Sequence, residues 1–307
     1  MRACLIEKFG SLEEQLQIAN VGLPLAGPDE LLVKVFAASV NPSDWKLIDG
    51  RLQALFPVTL PRILGRDCAG AVVSGRAAGL AAGDRVLAVA DARKNGTHAE
   101  YAVVPSCQAA PIPASLSNEE AVAIGNSGAT AWICLVDVAR IASGQRVLIH
   151  AGAGAVGGLA IQLSRHFGAE VITTCRGDNL DHVRSLGAHL AIDYTREDFV
   201  KQAGSCDVVF DMVGGEVNRR SYAVLKPGGM LVYVHALPIG PPLRNDVRVQ
   251  RGEIRPMRHH LQELMRLAAA NVLKPRIGAV WPLAEARAAY ARAASGQTRG
   301  KNILLCG

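Results

Sequence analysis

Gly152, Gly154 and Gly157 stand in the order G-x-G-x-x-G directly after the compact apolar run Arg146-Val147-Leu148-Ile149-His150. Alone the pattern is weak; between a strand and a helix it describes a turn that receives a pyrophosphate. The first glycine permits the tight turn, the second lets the backbone approach the phosphates, and the third lets helix and strand pack closely. The helix N-terminus adds free N–H groups and a partial positive charge. A dinucleotide is the expected guest, a glycine-rich turn without a ligand the plain alternative. Cofactor choice is read at the end of the second strand, about 20 residues past the motif, where an acid would bind a ribose 2′-hydroxyl. This chain has Thr173-Thr174-Cys175-Arg176 there, and Glu170, the acid of that strand, sits at its beginning. Arg176 can pair with a 2′-phosphate, with Thr174 as a further donor, so the pattern predicts NADPH over NADH. A solvated loop charge is the alternative for Arg176.

The elements that must hold this turn are readable on both sides of it. After the glycines, Val156, Leu159, Ala160, Leu163 and Phe167 recur at helical spacing, and Gly168 stands where a C-terminal cap belongs. Strands over 170–175, 190–194, 207–212 and 230–235 then alternate with helices over 180–186, 196–203 and 216–224, with Lys226-Pro227-Gly228-Gly229 as a turn. Repeated βα units with apolar strands imply a parallel sheet covered on both faces. An apolar helical stretch over 121–138 precedes them. The first 120 residues instead read as short strands bounded by Gly, Asp or Pro, at 31–37, 70–74, 84–89 and 99–104. The stretch 236–256 resists assignment, with a strand possible only over 246–250. Two helices, one striped by Leu261, Leu264, Met265 and Ala268 and one over 282–295, lead to a final strand at 303–305. A strand in that place could return to the first domain and make it discontinuous.

Composition narrows the classes. With half of 307 residues apolar and 20% charged, long disorder is not expected. The net charge of +6 is scattered rather than blocked, and aromatics are only 5%, so nucleic acid is a poor partner and an anionic phosphate ligand a better one. No run of about 18 uncharged apolar residues occurs, and Met1 to Lys8 lacks a secretory pattern, so a cytoplasmic protein with no membrane partner is expected. Seven cysteines without a C-x-x-C pair predict reduced thiols rather than disulfides or a zinc cluster.

Together these segments resemble the medium-chain dehydrogenase/reductase superfamily, in its zinc-independent quinone oxidoreductase branch. The matching motifs run nearly end to end: Asn41-Pro42-Ser43-Asp44, Leu64-Gly65-Arg66-Asp67-Cys68-Ala69-Gly70, Ala82-Gly83-Asp84-Arg85-Val86, Gly128-Ala129-Thr130-Ala131-Trp132, His150 to Gly157, Ser185-Leu186-Gly187-Ala188, Ile192-Asp193-Tyr194 and Gly300-Lys301-Asn302-Ile303-Leu304. The resemblance implies an α/β fold: a GroES-like β-rich catalytic domain of residues 1–120 and 272–307, and a Rossmann doubly wound parallel-sheet domain of residues 121–271. It also implies a homodimer. Zinc enzymes of the superfamily place a Cys, a His and a Cys where this chain has Asn41, Arg66 and Asn126, and amides and a guanidinium cannot replace thiolate and imidazole around zinc. No metal is therefore expected.

Without a Lewis acid, substrates already activated towards hydride suit the site best, namely quinones and α,β-unsaturated carbonyls. By the resemblance, Asn41 donates to the acceptor oxygen, or is only a turn residue before Pro42. Thr130 lies near the nicotinamide, or is a buried helix threonine. Asp44 and Asp67 flank the same place or fix loops. Arg66, a departure from the family, attracts an anionic substrate or pairs with Asp67, and the pairing is expected. Gly152, Ala153, Gly154, Ala155, Val156 and Gly157 meet the pyrophosphate. Tyr194 resembles the family tyrosine near the adenosine phosphate, His235 lies where chain meets cofactor, and Lys301 and Asn302 close over the nicotinamide half; packing, a satisfied histidine and a solvated turn are their alternatives. The family's tyrosine after the Asn-Pro motif is missing from 45–51. The expected function is an NADPH-dependent reductase of a small quinone or enone. The alternatives are an enoyl-thioester reductase, with Arg244, Arg248, Arg251 and Arg255 at a basic entrance, and a non-catalytic NADPH-binding regulatory protein.

Overall fold

The computed structural model describes residues 1–307 except 55–56, 236–239 and 297. The chain divides into two compact units, Met1–Asn126 with Pro256–Gly307, and Ser127–Arg255.

In the second unit the apolar runs form six strands: Arg146–Ile149, Glu170–Cys175, Leu190–Asp193, Cys206–Asp211, Leu225–Tyr233 and Arg248–Arg251. Every adjacent pair is parallel. Numbered along the chain, their order across the sheet is 3-2-1-4-5-6, that of a dinucleotide-binding doubly wound sheet. The order reverses beside Arg146–Ile149, the strand that feeds the glycine turn. Helix Ala155–His166 buries Leu159, Ala160, Ile161 and Leu163. It ends as its sequence suggests, at Phe167 with Gly168 at φ +78°.

One local expectation changes and another holds with shifted bounds. Lys226 to Gly229 does not precede a strand but lies within Leu225–Tyr233, where the pairing jumps from Cys206↔Leu225 to Val208↔Met230 and the intervening residues bulge out. Lys226 donates to both Asp207 oxygens at 2.9 Å, which ties the bulge down. Of the stretch 236–256, positions 236–239 lie outside the described residues, and its end supplies the edge strand Arg248–Arg251.

The first unit is built on a sheet ordered Ile277–Pro282, Lys301–Leu305, Glu30–Ser39, Asp67–Gly75, Arg85–Val89 and Ala109–Pro111, with Tyr101–Pro105 also paired to Glu30–Ser39. Its core gathers Ile6, Leu31, Val33, Val35, Val86 and Leu304. The C-terminal strand returns here, pairing Ile303↔Ser39 and Leu304↔Ala38 antiparallel. Ile277–Pro282 was not foreseen; its alternating half-buried residues mark a sheet edge, and Gly278 and Pro282 mask the strand pattern. Helix Arg258–Ala269 belongs with this unit, whereas the sequence reading divides the chain at 271. Gln108 Nε2 donates to the Pro256 carbonyl at 2.8 Å and Arg258 Nη2 to that of Ser106 at 2.7 Å, which holds the helix to this sheet. Asn118–Val138 is apolar and long enough to cross a membrane, yet most of it is buried inside the protein, as a core helix is.

Candidate active site

In the first unit the ends of three strands, the start of one helix and the middle of another bring a polar cluster into an apolar interior. Asn41 precedes helix Pro42–Ile48, with Pro42 in the first turn, where a missing N–H costs nothing. Asp44, on that first turn, accepts the Asn41 backbone N–H at 2.7 Å. Asp67 opens the Asp67–Gly75 strand and is fully buried. Its Oδ1 accepts from the Ser39 hydroxyl at 2.6 Å and Asn41 Nδ2 at 3.0 Å, and its Oδ2 from the Asn126 N–H at 2.8 Å. Charge-assisted bonds of this kind contribute about 1.5–3 kcal/mol each. Gly125 makes the approach possible, because a Cβ there would lie 2.7 Å from Asp67 Oδ2.

Lys301 is buried and donates through Nζ to Asn41 Oδ1, which also accepts from Asn126 Nδ2 at 3.4 Å. Gly300, at φ +104° and with no room for a Cβ beside the Arg276 carbonyl, sets that lysine in place. Burial pushes the Lys301 pKa down, against the pull of the Asp67 and Asp44 charges. Burial likewise raises the Asp44 carboxyl to about 7, helped by the Asp67 charge and opposed by the Asn41 N–H, Lys301 and Arg66. Beneath the cluster, His98 is neutral at pH 7, its pKa pushed down to about 4 by burial. Its Nε2 lies 3.1 Å from the Ser39 carbonyl, which only accepts, so Nε2 carries the proton and Nδ1 accepts from the Tyr290 hydroxyl at 2.7 Å.

The cluster thus holds Asn41, Asp44, Asp67 and Lys301, but two expected roles change. Asn41 cannot donate to a substrate oxygen as arranged, because its Nδ2 already donates to Ser39 and Asp67 and its side chain is buried. Arg66 does not pair with Asp67. Its guanidinium makes no hydrogen bond among the described residues, and Nη1 is buried without a partner. Asn302 is also inward, donating to the Ala289 carbonyl at 3.0 Å. Sequence reading missed Ser39, Gly125, His98 and Tyr290; Ser39, a lone hydroxyl near the end of an apolar strand, was the available signal.

In the second unit the glycine turn has two kinds of glycine. A Cβ on Gly152 would meet Thr173 Oγ1 at 1.9 Å, and one on Gly157 would meet the Ala151 carbonyl at 2.3 Å, so the chain's own packing demands both. Gly154, at φ −75°, would meet a single atom at 3.3 Å. The chain's own packing asks for this glycine less than for the other two. The N–H groups of Ala155, Val156 and Gly157 begin the helix, where no intrahelical acceptor exists. Ala153 lies in the turn before them. These residues fit a dinucleotide pyrophosphate.

Around the turn the placements diverge. Thr174 is buried, and its role as a phosphate donor is lost to an internal relay. Ser221 Oγ donates to the Val217 carbonyl, so it must accept from His150 Nε2 at 3.0 Å; His150 Nδ1 then accepts the Thr174 hydroxyl at 3.0 Å. Arg176 is exposed just past its strand. The neighbouring acid, Asp193, faces inward: Thr195 donates to it at 2.7 Å through its hydroxyl, and these bonds lower its pKa together with that from the Gly177 N–H. Tyr194 is exposed at the end of Leu190–Asp193. His235 is inward, its Nε2 3.5 Å from Asp211 Oδ2. Thr130 is buried in helix Asn118–Trp132.

Residues 27–114 match the alcohol dehydrogenase GroES-like domain family and residues 186–304 the zinc-binding dehydrogenase family. The chain is 34% identical to 2-methylene-furan-3-one reductase of Solanum lycopersicum, over 99% of this chain and 79% of that protein. It is 32% identical to the NADPH-dependent alkenal/one oxidoreductase of Arabidopsis thaliana, over 95% and 75%. The solved quinone oxidoreductase of Coxiella burnetii superposes with a TM-score of 0.89 at 29% identity, covering 100% and 99% of the two chains. The chain belongs to the medium-chain dehydrogenase/reductase superfamily, among its quinone and alkenal oxidoreductases. It is an oxidoreductase. The zinc in the matched family's description does not fit the residues present, since Asn41 and Asn126 offer amides and the Asn41 oxygen accepts from the Lys301 ammonium, where zinc is held by thiolate or imidazole. Among the described residues no three His, Cys, Asp or Glu side chains are grouped to hold a metal.

Proposed function

We propose that this oxidoreductase is an NADPH-dependent, zinc-independent reductase that transfers hydride to a quinone or an activated α,β-unsaturated carbonyl. The observation that carries this is the Lys301–Asn41–Asn126 arrangement, in which a fixed ammonium and two amides stand in place of a metal set. The nicotinamide, when bound, supplies the hydride. The chain's part is electrostatic: Lys301 and Arg66 put fixed positive charge on the cluster, and an enolate or hydroquinone oxyanion gains from it more than the neutral acceptor does. That favours acceptors whose carbonyl needs no further activation. The named activities of the alkenal/one and quinone relatives support the same substrate class.

NADPH rather than NADH is supported by the exposure of Arg176 just past its strand and by the engagement of the neighbouring Asp193 carboxylate with Thr195. The enoyl-thioester alternative loses part of its basis, because Arg244 is bound to Asp246 and to the Tyr222 and Leu225 carbonyls. The test is oxidation of NADPH and NADH with a simple quinone, an enone and an enoyl-CoA, with metal analysis of the purified enzyme. Turnover of the quinone or enone with NADPH and no bound zinc is expected. Preference for NADH, or one zinc per chain, would refute it.

A further inference from the structure

We infer that Arg66 is the anchor for an anionic group on the acceptor, so that carboxylated enones or quinones are preferred over neutral ones. This rests on the reductase reading above and deepens it. Arg66 follows Gly65, whose φ of +98° and missing Cβ, which would lie 2.4 Å from His98 Cδ2, fix the backbone. The Ala90 N–H donates to the Arg66 carbonyl at 2.7 Å, so the residue is held on both sides.

The guanidinium so held makes no hydrogen bond and no ion pair among the described residues. Asp67 accepts from Ser39, Asn41 and Asn126, Asp44 Oδ2 from the Asn41 N–H, and Asp91 Oδ1 from the Arg93 N–H. None of these carboxylates forms an ion pair with the guanidinium, and Nη1 is buried without any hydrogen bond. A hydrated surface arginine would not show that. A cation held in place, without a hydrogen-bond partner at a buried nitrogen and met by the Asp44, Asp67 and Asp91 charges without a direct ion pair, keeps its hydrogen-bonding face for a ligand. The side chain is only partly buried, so a ligand can reach it. The planar fork of the guanidinium suits a carboxylate, which it binds through two parallel bonds.

The probes are (E)-4-oxopent-2-enoate, its methyl ester, and the unreactive 4-oxopentanoate. For wild type, Arg66→Met and Arg66→Gln, kcat/KM is measured with NADPH for the acid and the ester, and binding of 4-oxopentanoate to the NADP⁺-loaded enzyme by calorimetry. The acid-to-ester ratio is expected to fall about ten- to a hundredfold on removing the charge, with a parallel weakening of 4-oxopentanoate binding. Arg66→Gln decides the matter if Arg66→Met does not fold. An unchanged ratio, or 4-oxopentanoate binding that wild type lacks or the variants keep, overturns the inference. If wild type reduces neither enone, the reductase reading fails, and the calorimetry still decides the role of Arg66.

Discussion

The Lys301 ammonium donates a hydrogen bond to the Asn41 amide oxygen across 260 positions of sequence, and through Asn41 it is joined to the buried Asp67 carboxylate. The C-terminal strand is thereby part of the cluster, because Lys301–Leu305 can reach Asn41 only while paired with Glu30–Ser39. The cluster is complete only when that strand is paired.

Asp67 should therefore dominate the stability of this region. Asp67→Ala leaves the Ser39 hydroxyl, the Asn41 amide and the Asn126 N–H buried without their acceptor, at an expected cost of about 3–5 kcal/mol. The readout is a lower urea midpoint at unchanged slope. Lys301→Met removes a charge that burial already disfavours, so it should cost less stability than Asp67→Ala while lowering kcat/KM at least about tenfold. The reverse ranking of the two midpoints would contradict the network described.

Two glycines of one motif should behave differently. In Gly157→Ala the new methyl meets backbone atoms of Ala151 and Gly152, which cannot turn aside, so a loss of about 1–3 kcal/mol is expected despite the better helix propensity of alanine. Gly154→Ala meets one atom at 3.3 Å and should change stability by no more than about 0.5 kcal/mol. Its effect should fall on the cofactor, raising the NADPH dissociation constant roughly tenfold. Fluorescence titration and thermal melts separate the two; equal effects of both variants on both readouts would show that Gly154 serves packing alone.

The difference between these glycines also marks what the sequence could disclose. The strand, turn and helix at 146–166 are a local pattern, legible because every constraint on Gly152 and Gly157 comes from residues within about one supersecondary unit. The polar cluster is not local: Ser39, Asp67, Asn126 and Lys301 meet only after strand pairing. Adjacency misled at Arg66 and Asp67: Asp67 opens its strand with its carboxylate bound by Ser39, Asn41 and Asn126, whereas Arg66 lies in the bend before the strand. Thr174 misled for another reason. A buried hydroxyl must find partners, and His150 and the Ala151 N–H supply them from inside. The edge strand Ile277–Pro282 escaped notice because a half-buried edge tolerates the Gly and Pro that elsewhere signal a turn.

On the proposed NADPH reading, cofactor choice turns on the exposed side chain of Arg176. Arg176→Ala should raise the Michaelis constant for NADPH by about tenfold or more and leave that for NADH nearly unchanged, because NADH has no 2′-phosphate to lose contact with. High salt should weaken NADPH in the wild type more than in the variant. Equal changes for both nucleotides would place Arg176 at the pyrophosphate or outside the site.

Asp44 sets a pH dependence whose sign is opposite to that of most acids. Its folded pKa is raised to about 7 by burial, with the Asp67 charge adding to the effect, so the folded state holds a proton that the unfolded chain releases near 4. Its contribution is fully present below the unfolded pKa and is lost as pH rises from about 4 through about 7, by a few kcal/mol. His98 and His150 run the other way. Burial lowers both to about 4, so the stability they contribute is present above about 6.5 and is lost as pH falls through that window. Asp44→Asn, which keeps an acceptor oxygen for the Asn41 N–H, should leave the acid-side loss in place and remove the alkaline-side one. Its stability relative to wild type should thus improve steadily between pH 5 and pH 8, measured by urea denaturation at several pH values. A constant difference across that range would mean that Asp44 is ionised throughout, held so by Lys301 and Arg66.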